Sequence, residues 1–204
     1  MTAVDLVRDA LRAAILRGDL KGDARLVQTE IAEQLGVSTT PVREAMRDLA
    51  SEGLITMDSH RIGTVRRPDW EEMREIVDIR RSLEPLALER AMAGIDEKDM
   101  ARARALADEL ASVDDVGTWV QRNIVFHSIF HEATGTTRLA GMLKALEEAG
   151  GVFVAQVQRL HPEIRQRAVD DHYALITAFE TGDLERALAV QYTHINLPLE
   201  NATP

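Results

Sequence analysis

The sequence predicts a mainly α-helical chain in two parts, three short helices with a small β-hairpin and then an all-α bundle of about six helices. Three observations lead there. Apolar residues recur at helical spacing along most of the 204 residues, strand character is confined to 54–66, and Pro68-Asp69 divides the chain by charge. Residues 1–67 hold ten basic and ten acidic side chains, so the whole net charge of −10 lies on 68–204.

Val4, Val7, Leu11, Ala14 and Ile15 place a helix over 3–17 that Gly18 ends. A loop from Asp19 to Leu26 leads to a second helix, 28–35, burying Ile31, Ala32 and Leu35. Gly36 supplies the left-handed residue that closes it. Ser38 is placed to cap a third helix with Pro41 in its first turn, where a missing amide donor does no harm. Val42, Ala45, Met46 and Leu49 form its inward face up to Gly53. Leu54–Met57 and Gly63–Arg66 pair as a hairpin across residues 58–62. Helices then follow at about 69–93, 96–112, 117–133, 137–160, 163–181 and 184–197, with Gly150-Gly151 interrupting the fourth and allowing a kink or a close approach by a ligand or partner helix. Met142 and Leu146 read as core, and 199–204 as a frayed tail.

Composition removes several classes of function. With no cysteine there is no disulfide scaffold, thiolate zinc finger, iron–sulfur cluster or cysteine nucleophile, which fits a reducing cytoplasm. No apolar run reaches the roughly 18 residues that span a bilayer, and the charged first twenty residues exclude a signal-peptide core. The expectation is a cytoplasmic protein with no membrane partner. Acidity opposes nonspecific nucleic-acid binding but leaves room for a local basic face on the neutral part.

Two short helices joined by Leu35-Gly36-Val37-Ser38 and followed by a hairpin describe a winged helix-turn-helix, whose last helix enters the DNA major groove. Thr39, Thr40, Arg43 and Arg47 lie opposite the buried face of that helix. Arginine can read guanine with two hydrogen bonds, and threonine can meet a thymine methyl or a phosphate. His60, Arg61, Arg66 and Arg67 on or beside the wing are placed for backbone or minor-groove contacts. Spacing alone also allows an ordinary helical packing with solvated arginines.

Leu26-Val27-Gln28-Thr29-Glu30-Ile31-Ala32, then Leu35 through Met46, Glu52-Gly53-Leu54-Ile55 and Gly63-Thr64-Val65, closely resemble the GntR family of bacterial transcription regulators. The resemblance implies a homodimer in which each winged head, residues 1–67, reads half of a palindromic DNA operator. It implies DNA contacts at Thr29, Ser38, Thr40 and Arg43. Thr39 stands where the family often has a base-contacting arginine, which leaves Arg43 as the main contact.

In the second part, 68–204, Asn123 and His127 share one helix face, His172 aligns with Leu175, Ile176 and Phe179, and His194 aligns with Val190 and Leu197. Three imidazoles and an oxygen donor converging inside a bundle suit a divalent transition metal with positions left open. Each histidine taken singly also reads as a hydrogen-bonded core residue. The pattern Asn123-x-x-Phe126-His127, Asp171-His172 and His194 resembles the FCD effector domain of the FadR subfamily. That resemblance implies an effector-binding and dimerisation domain, with Zn, Ni or Mn held by Asn123, His127, His172 and His194. Asparagine as first ligand makes the protein donors neutral and favours an anionic ligand on the metal. His131 reads as a supporting or outward-facing residue, or else as a rival ligand. Arg80-x-x-Leu83-Glu84 also fits the pattern, and Arg80 either grips an effector carboxylate or forms an ion pair with Glu84 one turn on.

The reading is a ligand-responsive transcriptional regulator, most simply a repressor released from its operator by a small organic acid. A bundle metalloenzyme using the three histidines is the rival from another class, but no histidine has the glutamate three residues earlier that di-iron bundles use. It also leaves the head without a task, so no enzymatic activity is expected. The same histidines also suit a sensor whose effector is the metal ion itself, or a purely structural metal.

Overall fold

The computed structural model describes residues 2–58, 62–67 and 69–201. The head comprises α1 (Ala3–Arg17), β1 (Arg25–Leu26), α2 (Gln28–Leu35), α3 (Thr39–Ser51), β2 (Ile55–Met57) and β3 (Gly63–Val65). The bundle comprises α4 (Trp70–Gly94), α5 (Glu97–Ser112), α6 (Val116–Glu132), α7 (Thr137–Leu160), α8 (Glu163–Thr181) and α9 (Leu184–Asn201).

The helix ends follow local chemistry. Thr2 and Asp5 form a reciprocal capping box on α1, and Asp69, Asp96 and Asp115 each accept an amide at the start of α4, α5 and α6. Gly36 closes α2 at φ +64°, a conformation glycine adopts at no steric cost. Ser38 occupies the cap position of α3, but its side chain makes no capping bond and is exposed.

Several expectations need correction. The loop over 19–26 ends in a strand, because Arg25 and Leu26 pair antiparallel with Thr64 and Gly63 and make a three-stranded sheet ordered β1-β3-β2. The Gly150-Gly151 pair does not interrupt α7, whose helix is continuous. These glycines instead let neighbouring helices close in: a side chain at 150 would touch Met73 at 3.5 Å, and one at 151 would touch Val120 at 3.4 Å. Met142 is 49% exposed and Leu146 half-buried, so Met142 is not core. The last helix continues through Pro198 to Asn201 instead of fraying from 199.

Head and bundle share one apolar core. Its head portion includes Val7, Leu11 and Ile15 of α1 with Val42, Met46 and Leu49 of α3, all buried. The other side of α1 packs on α6 and α7, where Arg159 donates to the Leu16 carbonyl at 2.5 Å. Arg66 pairs with Glu72 and ties the end of the wing to the start of α4. Burying such apolar side chains contributes roughly 1.5–3 kcal/mol each, so the head is fastened to the bundle through α1.

Candidate metal centre and nucleic-acid interface

On the head, Thr29, Ser38, Thr39, Thr40 and Arg47 are exposed at the start of α2 and along α3. Arg43 is half-buried, and its Nε has no hydrogen-bond partner among the described residues. The buried row Val42, Ala45, Met46 and Leu49 fixes the azimuth of α3 and so turns this polar row outward. Arg66, expected near the DNA backbone, is instead engaged with Glu72 and the Gly53 carbonyl. His60 and Arg61 lie outside the described residues.

In the bundle, His127 on α6, His172 on α8 and His194 on α9 present one donor nitrogen each within 4.8 Å of one another. The Nε2 atoms of His127 and His194 lie 3.0 Å apart. Phe126 packs on His172 at a ring separation of 4.2 Å, and Trp119 stacks beside the same imidazole at 6.2 Å. This apolar wall strips water from the imidazoles. Burial, with the neighbouring histidines adding to it, holds His127 and His172 well below the ordinary histidine pKa, so both are neutral lone-pair donors.

The donor set fits a metal on the structure's own terms. Among the described residues His172 has no hydrogen bond at either ring nitrogen, and Asn123 Oδ1 and His194 Nδ1 are likewise buried without one. Buried polar atoms are nearly always satisfied, and a coordinated cation would satisfy Asn123 Oδ1 and one ring nitrogen of His172. Behind the triad, Asp171 Oδ2 stands 3.4 Å from His194 Nδ1, an electrostatic contact that orients the imidazole.

Arg80, Asn123, His194, Trp119 and Gln158 line one cavity of about 50 Å3. Trp119 Nε1 and Gln158 Oε1 are both buried there without partners among the described residues. Neither stood out in the sequence. The signal for Gln158 was a polar residue directly after the mostly apolar stretch Val152–Val157; for Trp119 it was an indole N–H one turn before Asn123 on the same helix. Arg80 lines this cavity and also donates to Glu84 Oε1 at 2.8 Å, so the ion pair one turn on is present. It further donates to Glu147 Oε1 of α7 at 2.9 Å, a partner no sequence spacing reveals. His131 is buried, not outward, with Nε2 3.3 Å from Glu84 Oε2.

Residues 4–65 match the bacterial regulatory proteins of the gntR family, and residues 75–197 match the FCD domain. The chain is 31% identical to a probable D-xylose utilization operon transcriptional repressor of Paenarthrobacter nicotinovorans, over 91% of this chain and 82% of that one. It is 28% identical to the gluconate operon transcriptional repressor of Bacillus subtilis, over 91% of this chain and 78% of the relative. The fold is that of Escherichia coli McbR/YncC, with a TM-score of 0.80, 24% identity, and 98% and 96% of the two chains covered. These relatives are regulators of transcription and not enzymes. A winged head joined to a helical FCD domain, matched along nearly its whole length, places this chain in the GntR family of DNA-binding transcriptional regulators.

Proposed function

We propose that the protein is a homodimeric repressor in the cytoplasm, held on a palindromic operator by its two heads and released by a small organic carboxylate. In this reading residues 1–67 bind DNA and residues 68–204 bind the effector and dimerise. The observation that carries it is the ring of unpartnered buried polar atoms, from Asn123, His172, His194, Trp119 and Gln158, around one cavity and one histidine triad.

Asn123, His127, His172 and His194 would hold a divalent transition metal such as Zn, Ni or Mn. When bound, the metal supplies a Lewis-acidic centre with open positions for an anion. Because the protein donors are neutral, nothing in this set offsets the ion's charge, which favours an acid as effector. Trp119 Nε1 and Arg80 are the donors available to its carboxylate, and Gln158 Oε1 is an acceptor for a hydroxyl. The name of the Bacillus subtilis relative ties it to a gluconate operon, and gluconate is a carboxylate.

On the head, Arg43 and Arg47 would read bases and phosphates, with Thr29, Ser38, Thr39 and Thr40 beside them and His60 and Arg61 on the wing. For dimerisation, Ile79 and Leu86 on α4 and Met142 on α7 leave apolar surface exposed that a second copy would cover. Signal passes from cavity to head through α7, since Glu147 meets Arg80 while a side chain at Gly53 of the head would meet Ala149 at 3.4 Å.

Elemental analysis of untagged protein tests the metal half. A metal content about one per chain higher in wild type than in a His127→Ala/His172→Ala variant supports it. No metal after incubation with zinc, nickel or manganese removes it and leaves the histidines as polar-pocket residues.

A further inference from the structure

A second group of donors gathers around Arg80, which also lines the cavity. Glu84 of α4, His131 of α6 and Glu147 of α7 each offer one ligand atom within 4.8 Å of the others, and all three are buried. They come from three different helices, and His131 stands one turn beyond His127 on α6.

The oxygens are divided in an orderly way. Arg80 Nη2 takes Oε1 of Glu84 at 2.8 Å and Oε1 of Glu147 at 2.9 Å. Glu84 Oε2 faces His131 Nε2 at 3.3 Å. Glu147 Oε2 has no hydrogen-bond partner among the described residues, although its side chain is only 3% exposed. One guanidinium thus fixes the orientation of two carboxylates and neutralises one of them. An unsatisfied carboxylate oxygen remains, buried beside an imidazole.

We propose that Glu84, His131 and Glu147 form a second divalent-cation site, separate from the Asn123/His127/His172/His194 set, with Arg80 orienting its carboxylates. Two carboxylates and an imidazole suit Mn, Fe(II) or Zn better than a soft ion. Carboxylate donors, absent from the first set, favour the cation here, with Arg80 balancing one of them and taking part as an outer partner that orders both.

The test is Mn(II) binding to full-length protein by equilibrium dialysis at pH 7.5, with electron paramagnetic resonance on the same samples. Two equivalents per wild-type chain are expected, with the signal broadened by coupling between neighbouring ions. The His127→Ala/His172→Ala variant should keep one equivalent, as should His131→Ala/Glu147→Gln, and the fourfold variant should bind none. A single wild-type equivalent that vanishes in His127→Ala/His172→Ala overturns the second site while leaving the first intact. A second equivalent that persists in folded His131→Ala/Glu147→Gln overturns the residue assignment. Because the wild-type stoichiometry decides without any variant, misfolding of a substituted chain cannot hide the answer.

Discussion

His127 and His194, on helices far apart in sequence, bring their Nε2 atoms to 3.0 Å of each other inside the bundle. Both cannot present a proton, nor both a lone pair, to the other without cost. Asp171 resolves the choice for His194, because its carboxylate favours a proton on Nδ1 and so leaves the Nε2 lone pair free. In that tautomer His194 would offer a metal the nitrogen facing His127.

Replacing Asp171 with asparagine should therefore weaken metal binding without removing a ligand. Outer partners of this kind are worth about 10–100-fold in affinity. Competition against a chromophoric chelator measures it, with melting temperature as the check on folding. Unchanged affinity would show that Asp171 does not orient His194.

Asn123→Asp should act in the opposite direction. Its Oδ1 is buried without a partner among the described residues, and a carboxylate there adds a full charge next to the ion. Even with water-like screening a unit charge pair at 4 Å is worth about 1 kcal/mol, so affinity should rise by roughly fivefold or more. The same competition assay reads it, and weaker binding by the folded variant would remove Asn123 from the ligand set.

In the metal-free protein His127 and His172 should contribute a loss of stability as pH falls from about 7.5 to 5.5. Burial keeps His127 and His172 neutral when folded, while the unfolded chain takes up protons below the ordinary histidine pKa of 6.5. The unfolded state then binds more protons, so this contribution is present above 6.5 and fades below it, by at most about 2.7 kcal/mol per pH unit for two groups. Urea titrations across this range should show a steeper fall in wild type than in His127→Ala/His172→Ala. Equal slopes would mean that both imidazoles protonate freely in the folded state.

Arg43→Ala should weaken specific DNA binding about 5- to 150-fold for each head while the chain stays folded, and Arg47→Ala should weaken it less. Loss of one base-reading arginine costs about 1–3 kcal/mol, and Thr39 offers no second guanidinium nearby. Enrichment from a random duplex library reads the outcome directly, with circular dichroism to confirm folding. If Arg43→Ala enriches the same sequence as wild type at equal affinity, the main base contact lies elsewhere.

Much of the fold was legible because helix boundaries rest on local chemistry. Gly18, Gly36 and Gly182 end their helices at positive φ, and aspartates begin α4, α5 and α6. The strand at Arg25–Leu26 was not, since two residues carry no alternation and their order depends on a partner about forty residues away. The histidine triad was visible as single residues on apolar faces. Its convergence depends on how α6, α8 and α9 pack, and the Arg80–Glu147 contact on how α4 meets α7. Burial of Glu147 and Gln158 on α7 could not be separated in the sequence from the exposure of their charged neighbours.

A metal held in the bundle is proposed to govern DNA binding by the head. Fluorescence anisotropy of a duplex selected from a random library tests it, with metal-loaded and chelated protein titrated by a panel of carboxylates that includes gluconate. At least one acid should lower DNA affinity about 5- to 150-fold, the usual range for coupled sites, in metal-loaded wild type but not in chelated protein or His127→Ala/His172→Ala. Release by the same acid to the same extent in all three would contradict the account.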